Sequence, residues 1–268
     1  MKQWTIGVIG GSGLYDLDGL RNRQTLSVNS PWGAASDELV TGELDDVRLV
    51  FLPRHGRGHR IPPSALNARA NIDVLKRAGC TDILSVSAVG SLREELPPGT
   101  FVSMAEPVCP RLSAAAAAAA RSAGAPTVEG GTYLAMEGPQ FSTKAESHLY
   151  RSWGCSVIGM TAMPEARLAR EAELPYANVC MVTDYDCWRE ATAHVEVSHV
   201  LEVLQSNADT ARQMIAALAR SLPHERAPSP IDTGLDYAVI TDPGLWDPAL
   251  AEKLAGICPR KFSTGVAA

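Results

Sequence analysis

The alternation of short apolar segments with longer segments of helical spacing limits the fold of this chain more than any other feature. The apolar runs that predict buried strands include residues 5–9, 48–52, 82–87 and 176–183. The segments with helical spacing include residues 65–78, 164–173 and 195–218. Strands that alternate with helices in this way predict an α/β fold with a mostly parallel or mixed central sheet flanked by helices on both faces.

Shorter signals complete the predicted element pattern. Residues 132–136 and 157–159 read as further strands. Thr143 and Glu146 have the spacing of a capping box, which predicts that a helix starts near Thr143. The seven consecutive alanines within residues 111–123 predict another helix, because alanine is the best helix former.

The composition argues against several classes of protein. An apolar fraction of 46% and a charged fraction of 20% are typical of a soluble globular chain. The net charge of −6 argues against a nucleic acid or an acidic membrane as partner. No apolar run reaches about 18 residues, so no spanning helix is predicted. The six cysteines form no C-x-x-C pair and no zinc-type cluster. With no signal peptide recognised, we expect reduced thiols and a cytoplasmic location.

Local composition divides the chain into three predicted parts. Residues 1–222 carry the strand and helix pattern and form the main domain. Residues 223–233 are rich in proline, serine and charge, which is typical of a linker. Residues 234–268 form a C-terminal extension with one weak amphipathic helix at 248–254. The sequence leaves open whether this extension is an arm or a lid.

A glycine-rich turn follows the first predicted strand as Gly10-Gly11-Ser12-Gly13. Its exposed amides and the Ser12 hydroxyl suit a phosphate or another oxyanion, although a simple turn explains the glycines equally well. A dinucleotide site would place a third glycine where this chain has Asp16, so the turn lacks the full fingerprint.

A basic turn at residues 53–60 follows the second buried strand. Arg54 can fork onto two phosphate oxygens, and His55 can donate a further hydrogen bond to the same anion. The alternative is a solvated basic turn, but its position after a strand and its flanking glycines favour anion binding. We expect His59 and Arg60 to be structural or surface residues.

Two further strand ends carry small and polar residues. Ser87 and Gly90 lie in Ser85-Val86-Ser87-Ala88-Val89-Gly90-Ser91, where a hydroxyl and backbone amides can face a ligand. Further along, Thr161 can donate a hydrogen bond to phosphate, and Met160 offers a soft face to a ribose.

One aromatic and two acidic side chains can recognise a flat base. Phe141 can stack on such a base, although a lone phenylalanine is more often a core residue. Asp184 and Asp186 follow a buried strand, two residues apart. A 6-aminopurine presents N7 as an acceptor and its amino group as a donor, which suits one protonated and one ionised carboxyl group. Acids this close raise one another's pKa. Metal binding by the pair is the rival, but no third clustered ligand is evident.

Taken together, these motifs resemble the 5′-methylthioadenosine phosphorylases, which belong to the trimeric purine nucleoside phosphorylases. The resemblance runs in order from about Thr5 to Leu218. The matching segments are Gly10-Gly11-Ser12-Gly13, Pro53-Arg54-His55-Gly56-Arg57-Gly58-His59, Ala88-Val89-Gly90-Ser91-Leu92, Glu137-Gly138-Pro139-Gln140-Phe141-Ser142, Gly159-Met160-Thr161 and Thr183-Asp184-Tyr185-Asp186-Cys187-Trp188.

The resemblance implies a purine nucleoside phosphorylase-like fold and assigns a role to each motif. The residues implied to bind phosphate are Ser12, Arg54, His55, Ser87, Ala88 and Thr161. Those implied to line the ribose are Met160 and the backbone of 88–90, including Gly90. Those implied to flank or bind the base are Met136, Phe141, Asp184 and Asp186. The valines implied to line the 5′-thioether pocket are Val195, Val197 and Val200.

The implied reaction splits the N-glycosidic bond of 5′-methylthioadenosine with inorganic phosphate, giving adenine and 5-methylthioribose 1-phosphate for purine and methionine salvage. Asp184 and Asp186 are the implied catalytic pair. Phosphate is a co-substrate, and no metal or organic cofactor is expected. The resemblance also implies a homotrimer.

One segment departs from the family pattern. Only Ser103-Met104 separates Val102 from Ala105, where the family normally carries an extra stretch of some tens of residues. In the family this stretch forms a loop at the trimer contact, with a histidine that reaches the neighbour's 5′ pocket. We therefore expect a more open 5′ pocket that accepts adenosine as well as the thioether.

Three alternatives remain. The chain could prefer 6-oxopurine nucleosides or methylthioinosine, although the 6-oxopurine branch usually has asparagine in place of an acid. It could also be an impaired nucleoside-binding homologue that has lost turnover with the interface loop. A nicotinamide dehydrogenase ranks last, because the third fingerprint glycine is missing.

Overall fold

The computed structural model describes residues 3–11, 13–104, 108–189 and 197–263, with side chains from 202 onward in the last range. The strands described are β1 Thr5–Gly10, β2 Arg21–Leu26, β3 Leu39–Leu44, β4 Val47–Pro53, β5 Asp82–Ser91, β6 Phe101–Ser103, β7 Thr127–Glu129, β8 Tyr133–Ala135, β9 Val157–Gly159 and β10 Tyr176–Asp184. The helices are α1 Ala68–Arg77, α2 Pro110–Ser122, α3 Lys144–Ser152, α4 Ala162–Glu171, α5 Val197–Ser221, α6 Pro248–Ala255 and α7 Pro259–Phe262.

The strands form one mixed sheet in the order β2-β3-β4-β1-β5-β10-β6-β7. Strands β4, β1, β5 and β10 run parallel at its centre. Their residues are nearly all buried, as is usual for parallel strands covered on both faces. Strand β9 pairs antiparallel with β5, and β8 pairs parallel with β9. The predicted α/β fold with a mixed central sheet is therefore confirmed.

Helices cover both faces of the sheet. One apolar cluster joins β1, β4 and β10 to α2 and α5, and includes Phe51, Phe101 and Met214. A second cluster on the opposite face joins the sheet to α1 and α4, and includes Leu75 and Ala169. None of the helices in the described ranges is both long and apolar enough to cross a bilayer.

The element boundaries follow local signals closely in several places. Helix α3 begins after Thr143, whose side chain accepts from the Glu146 amide while Glu146 bonds back to Thr143, so the predicted capping box is confirmed. Strand β9 has the predicted bounds, Val157–Gly159. The sequence pattern did not predict β2, because its residues are polar and almost all exposed at the edge of the sheet.

The segment that the sequence predicts as a linker packs against the main domain. The Trp4 indole donates to the carbonyl oxygen of Pro223 at 2.8 Å. Arg226 is 5% exposed and lies between the carboxylates of Asp82 and Asp232. Just after the predicted linker, the backbone amide of Leu235 donates to the Glu173 carboxylate at 2.8 Å.

Candidate active site

The predicted site motifs lie where the central parallel strands end. Strands β1, β4, β5 and β10 end at Gly10, Pro53, Ser91 and Asp184, respectively. Since parallel strands present their carboxyl ends at one edge of a sheet, these motifs share one edge. Ala88 is exposed within the otherwise buried first part of β5, which leaves room for a ligand against the backbone there.

A buried ion pair occupies the predicted phosphate side of this edge. Arg54 and Glu165 are 2% and 3% exposed. Arg54 donates to Glu165 from Nε and from Nη2, so the planar fork of the guanidinium faces this carboxylate. Burial alone would lower the pKa of Arg54, but the adjacent Glu165 charge outweighs it and raises the pKa. Arg54 therefore stays charged, and Glu165 is its ion-pair partner.

The remaining donors of Arg54 are almost all used within the protein. Nη2 also donates to Ser85 Oγ at 2.6 Å, and Nη1 donates to the Val86 carbonyl oxygen at 3.0 Å. The Tyr176 hydroxyl donates to Glu165 at 3.0 Å. The fork that the sequence assigns to two phosphate oxygens is thus bound to Glu165. Among the described residues, only the second Nη1 hydrogen of Arg54 is left without a partner.

The other predicted phosphate ligands lie close to this pair in the chain or in the sheet. The Arg54 amide donates to the Gly10 carbonyl oxygen at 2.8 Å, which ties the basic turn to the glycine turn. Ser87 Oγ is buried and lies 3.4 Å from Asn178 Oδ1. Thr161 precedes α4, and its side chain makes no capping hydrogen bond. Ser12 lies outside the described residues.

His55 adjoins the buried pair as a half-buried ring. Its Nδ1 lies 2.9 Å from the Ile61 carbonyl oxygen, and the ring stacks on His59 with 4.4 Å between centroids. Burial lowers the pKa of His55, and the charge of Arg54 acts in the same direction. His55 is therefore uncharged at neutral pH.

Asp184 and Asp186 lie together at the end of β10. Asp184 Oδ2 accepts from Thr183 Oγ1 at 2.7 Å, and Oδ1 accepts from the Asp186 amide at 2.8 Å. Burial is the main cause that raises the pKa of Asp184, and the nearby Asp186 charge adds to it. Asp186 Oδ2 is buried and has no hydrogen-bond partner among the described residues.

Gly90 allows β5 to approach both acids. A Cβ atom at this position would lie 3.1 Å from Asp184 Oδ1, 3.3 Å from Asp186 Cβ and 3.2 Å from Ile158 Cγ2. A side chain here would crowd both acids, so the absence of a side chain at Gly90 lets β5 lie this close to them.

The predicted ribose and base wall is formed by the turn after β8 and by the end of β9. The Met136 amide donates to the Gly159 carbonyl oxygen at 2.9 Å. A Cβ atom on Gly138 would come within 2.5 Å of Met160 Sδ, so this turn packs directly on Met160. Phe141 is 75% exposed and is therefore not a core residue.

The remaining site residues are the valines predicted for the 5′ pocket and three residues to which the sequence assigned no role. The backbone of Val197 and Val200 lies in the first turn of α5, while their side chains and the whole of Val195 lie outside the described part of the chain. The sequence pattern did not single out Glu165, Tyr176 or Thr183. The available signal for Glu165 was its place in the first turn of the helix that follows Thr161, but its partner is 111 positions away.

Among the described residues, no cluster of three or more His, Cys, Asp or Glu side chains could hold a metal ion. The edge of the sheet thus combines an acid pair beside a glycine, an exposed aromatic ring and a buried ion pair. This combination suits a flat base and a small oxyanion bound side by side.

The family model of the phosphorylase superfamily matches residues 5–104 and 100–220. The chain therefore belongs to the phosphorylase superfamily.

Similar proteins indicate which group of phosphorylases within this superfamily the chain resembles. The chain is 51% identical to the S-methyl-5′-thioadenosine phosphorylase of Cereibacter sphaeroides, over 95% of this chain and 97% of the relative. It is 50% identical to the enzyme of the same name from Bradyrhizobium diazoefficiens, over 97% and 99%. A crystal structure of a methylthioadenosine phosphorylase from an Antarctic soil metagenomic library superposes with a TM-score of 0.90 at 38% identity, covering 96% of this chain and all of the other. The resemblance to the 5′-methylthioadenosine phosphorylases is confirmed.

The comparisons also agree with a missing stretch after β6. The family model is matched in two segments that meet at residues 100–104, next to Val102. The alignment with the Cereibacter sphaeroides relative extends over 282 positions, which is more than the 268 residues of this chain, so it must contain gaps in this chain.

Proposed function

We propose that this chain catalyses the phosphorolysis of 5′-methylthioadenosine to adenine and 5-methylthioribose 1-phosphate, as a cytoplasmic pentosyltransferase of purine and methionine salvage. The observation that carries the proposal is the acid pair at the end of β10. Asp184 is half-buried, desolvation raises its pKa, and it lies next to Asp186 and beside Gly90. The relatives that are 51% and 50% identical to this chain support the same reaction and the same substrate.

Departure of the base begins the proposed reaction. As the bond between C1′ and N9 stretches, the ribose gains oxocarbenium character and the purine gains negative charge. In this proposal Asp184 carries the proton, which its raised pKa favours, and donates it to N7, making the base a better leaving group. Asp186 accepts from the 6-amino group through Oδ2, the buried oxygen that has no partner among the described residues.

Attack by phosphate completes the reaction. The phosphate approaches C1′ from the face opposite the base, and its charge stabilises the developing cation. The proposed phosphate ligands are Ser12, the spare Nη1 donor of Arg54, His55, Ser87, the Ala88 backbone and Thr161. The proposed walls are Met160 and Gly90 at the ribose, Met136 and Phe141 at the base, and Val197 and Val200 at the 5′ group.

Under this proposal no metal ion or organic cofactor takes part, and neither nucleic acid nor a membrane is a partner. The active form is a homotrimer, as the resemblance implies. The shortened segment after Val102 leaves the 5′ pocket more open, so adenosine is a second substrate.

Adenine release from 5′-methylthioadenosine, measured with and without phosphate, tests the function. We expect strict dependence on phosphate and formation of 5-methylthioribose 1-phosphate. Release without phosphate would identify a hydrolase instead. Absence of release, with adenine still bound, would identify an impaired binding protein. Preferential cleavage of inosine or methylthioinosine would place the chain in the 6-oxopurine branch. Failure to cleave adenosine would contradict the open pocket alone.

A further inference from the structure

The tautomer of His55 is determined by its backbone partner. Nδ1 of His55 lies 2.9 Å from the carbonyl oxygen of Ile61. A carbonyl oxygen can only accept a hydrogen bond, so Nδ1 must carry the proton. In the neutral ring Nε2 is then unprotonated and can only accept. A neutral His55 therefore cannot donate to an anion, which is the role that the sequence suggests for it.

The surroundings keep His55 neutral near physiological pH. Burial lowers its pKa from the ordinary 6.5, and the neighbouring Arg54 and His59 lower it further. The Ile61 carbonyl and the charge of Glu165 act in the opposite direction, but the net shift is downward. The nearby Arg57 guanidinium lies 3.9 Å from Asp37 and so is partly balanced by it.

Net charge does not distinguish one small oxyanion from another in this pocket. In the part of the chain that the structure describes, the buried ionisable side chains on this side are Arg54 and Glu165, which form an ion pair of opposite charges. Selection among anions of equal charge must therefore come from the match of hydrogen-bond donors and acceptors. The unprotonated Nε2 and an oxyanion oxygen are both acceptors. They repel each other unless the oxygen carries a hydrogen that it can donate to Nε2.

We infer that His55 accepts a hydrogen bond from a protonated oxygen of the co-substrate, and that the site thereby selects hydrogen phosphate and hydrogen arsenate over sulfate. This inference rests on the proposed phosphorolysis, in which His55 contacts phosphate. Hydrogen phosphate, hydrogen arsenate and sulfate are tetrahedral and doubly charged in mildly alkaline solution. Only the first two carry a hydrogen that His55 can accept.

The test compares three anions at about pH 8, well above the ordinary histidine pKa of about 6.5. Binding of phosphate, arsenate and sulfate to the whole protein is measured by calorimetry, alongside adenine release and its inhibition by sulfate. We expect phosphate and arsenate to bind about tenfold or more tightly than sulfate, the effect of one hydrogen bond to a charged group.

The His55→Asn variant replaces the acceptor with an amide that can donate, so the preference for phosphate over sulfate should shrink by about tenfold. The matched control is His59→Asn, which alters the stacked partner and keeps the Ile61 contact of His55. His59 has φ 57°, a conformation that asparagine tolerates well. The control should keep the wild-type preference.

The wild-type protein provides a second test that needs no variant. As the pH falls below 6.5 and passes the lowered pKa of His55, Nε2 gains a proton and becomes a donor. Sulfate binding should then strengthen in the wild type but not in His55→Asn.

Equal affinity for sulfate and phosphate at about pH 8, or an unchanged preference in His55→Asn, would overturn the inference. Calorimetry separates this failure from failure of the proposed function, because anion binding needs no turnover. A protein that selects phosphate but releases no adenine would contradict the function and support the role of His55.

Discussion

At the scale of single residues, the carboxyl groups of Glu165 and Asp184 have different surroundings. Glu165 is neutralised by Arg54, which faces it with two donors. Asp184 has no such cation among its described neighbours and instead accepts from Thr183 and the Asp186 amide. The first arrangement keeps a charge in place, whereas in the second the desolvation of Asp184 outweighs these two hydrogen bonds, which favour the carboxylate, and raises its pKa. Only the second provides a proton donor for a leaving base.

The pH dependence of turnover should report the proton on Asp184. Burial raises the pKa of this carboxyl group above the ordinary 3.8, so Asp184 holds its proton to a higher pH than an exposed aspartate. As the pH rises through the folded pKa, the protonated fraction falls, and kcat/KM should fall with it. Asp184→Asn should lower kcat/KM by roughly 10²-fold or more and remove this alkaline limb.

The measurement is kcat/KM for 5′-methylthioadenosine across the pH range, with Asp186→Asn as the comparison. The Asp186 variant should weaken substrate binding but retain the limb. An Asp184→Asn profile that falls with pH in the wild-type manner would show that another group provides the proton.

At the scale of elements, one acidic residue of the main domain contacts several residues of the C-terminal segment. Glu173, two positions after the end of α4, is 6% exposed. It accepts from the Leu235 amide at 2.8 Å and from Arg260 Nε at 3.0 Å. Cys258 Sγ lies 3.4 Å from the same carboxylate. The extension is therefore a packed part of the described structure, joined to the helix that follows Thr161.

Replacing Glu173 with glutamine should loosen residues 234–263. Charged hydrogen bonds such as those with Arg260 contribute about 1.5–3 kcal/mol each, so we expect a loss of about 2 kcal/mol in the free energy of unfolding. The measurements are urea unfolding and hydrogen exchange of the extension. The matched control is Asp236→Asn, which removes a more exposed partner of Arg260 and should cost about 1 kcal/mol or less.

The same contact predicts a pH effect. Burial alone would raise the pKa of Glu173, but the hydrogen bond from Arg260 lowers it below the ordinary 4.5. Its contribution to stability is therefore complete above pH 4.5 and is lost as the pH falls through the folded value. Unchanged exchange of the extension in Glu173→Gln would mean that apolar packing alone holds it.

At the scale of the whole molecule, a buried ion network joins the start of β5 to the segment after α5. Arg226 contacts Asp82 and Asp232, and Arg111 Nη2 lies 3.2 Å from Asp82. The side chains of Arg226 and Asp82 are 1% and 0% exposed. Burial alone would lower the pKa of Arg226, but the two carboxylates raise it, so Arg226 stays charged. Burial raises the pKa of Asp82 even though both arginines act to lower it.

Removing Arg226 should destabilise the molecule as a whole. Arg226→Met would leave Asp82 buried with only Arg111 nearby, and breaking a buried pair in this way costs about 3–5 kcal/mol. Urea unfolding followed by two spectroscopic probes should show one transition at a lower midpoint. A separate early transition of the C-terminal residues, with the main transition unchanged, would contradict this and indicate an independent extension.

Sequence reasoning recovered the central strands, because their apolar runs need no distant information. It recovered α3 and β9 for similarly local reasons. It missed β2, because the polar residues of this strand give no apolar pattern. They form a strand through antiparallel pairing with the neighbouring strand β3. It also missed Glu165, because the burial of its charge depends on Arg54, far away in the chain.

The sequence by itself determined the α/β class, the order of the site motifs and the family, since each depends on local patterns and ordered matches. Only the tertiary structure decided the ionic state and partners of those motifs. It turned the fork of Arg54 towards Glu165, oriented the His55 proton towards Ile61 and placed Asp184 beside Gly90. The reason is physical: burial, charge balance and hydrogen-bond direction depend on atoms that meet only when distant segments fold together.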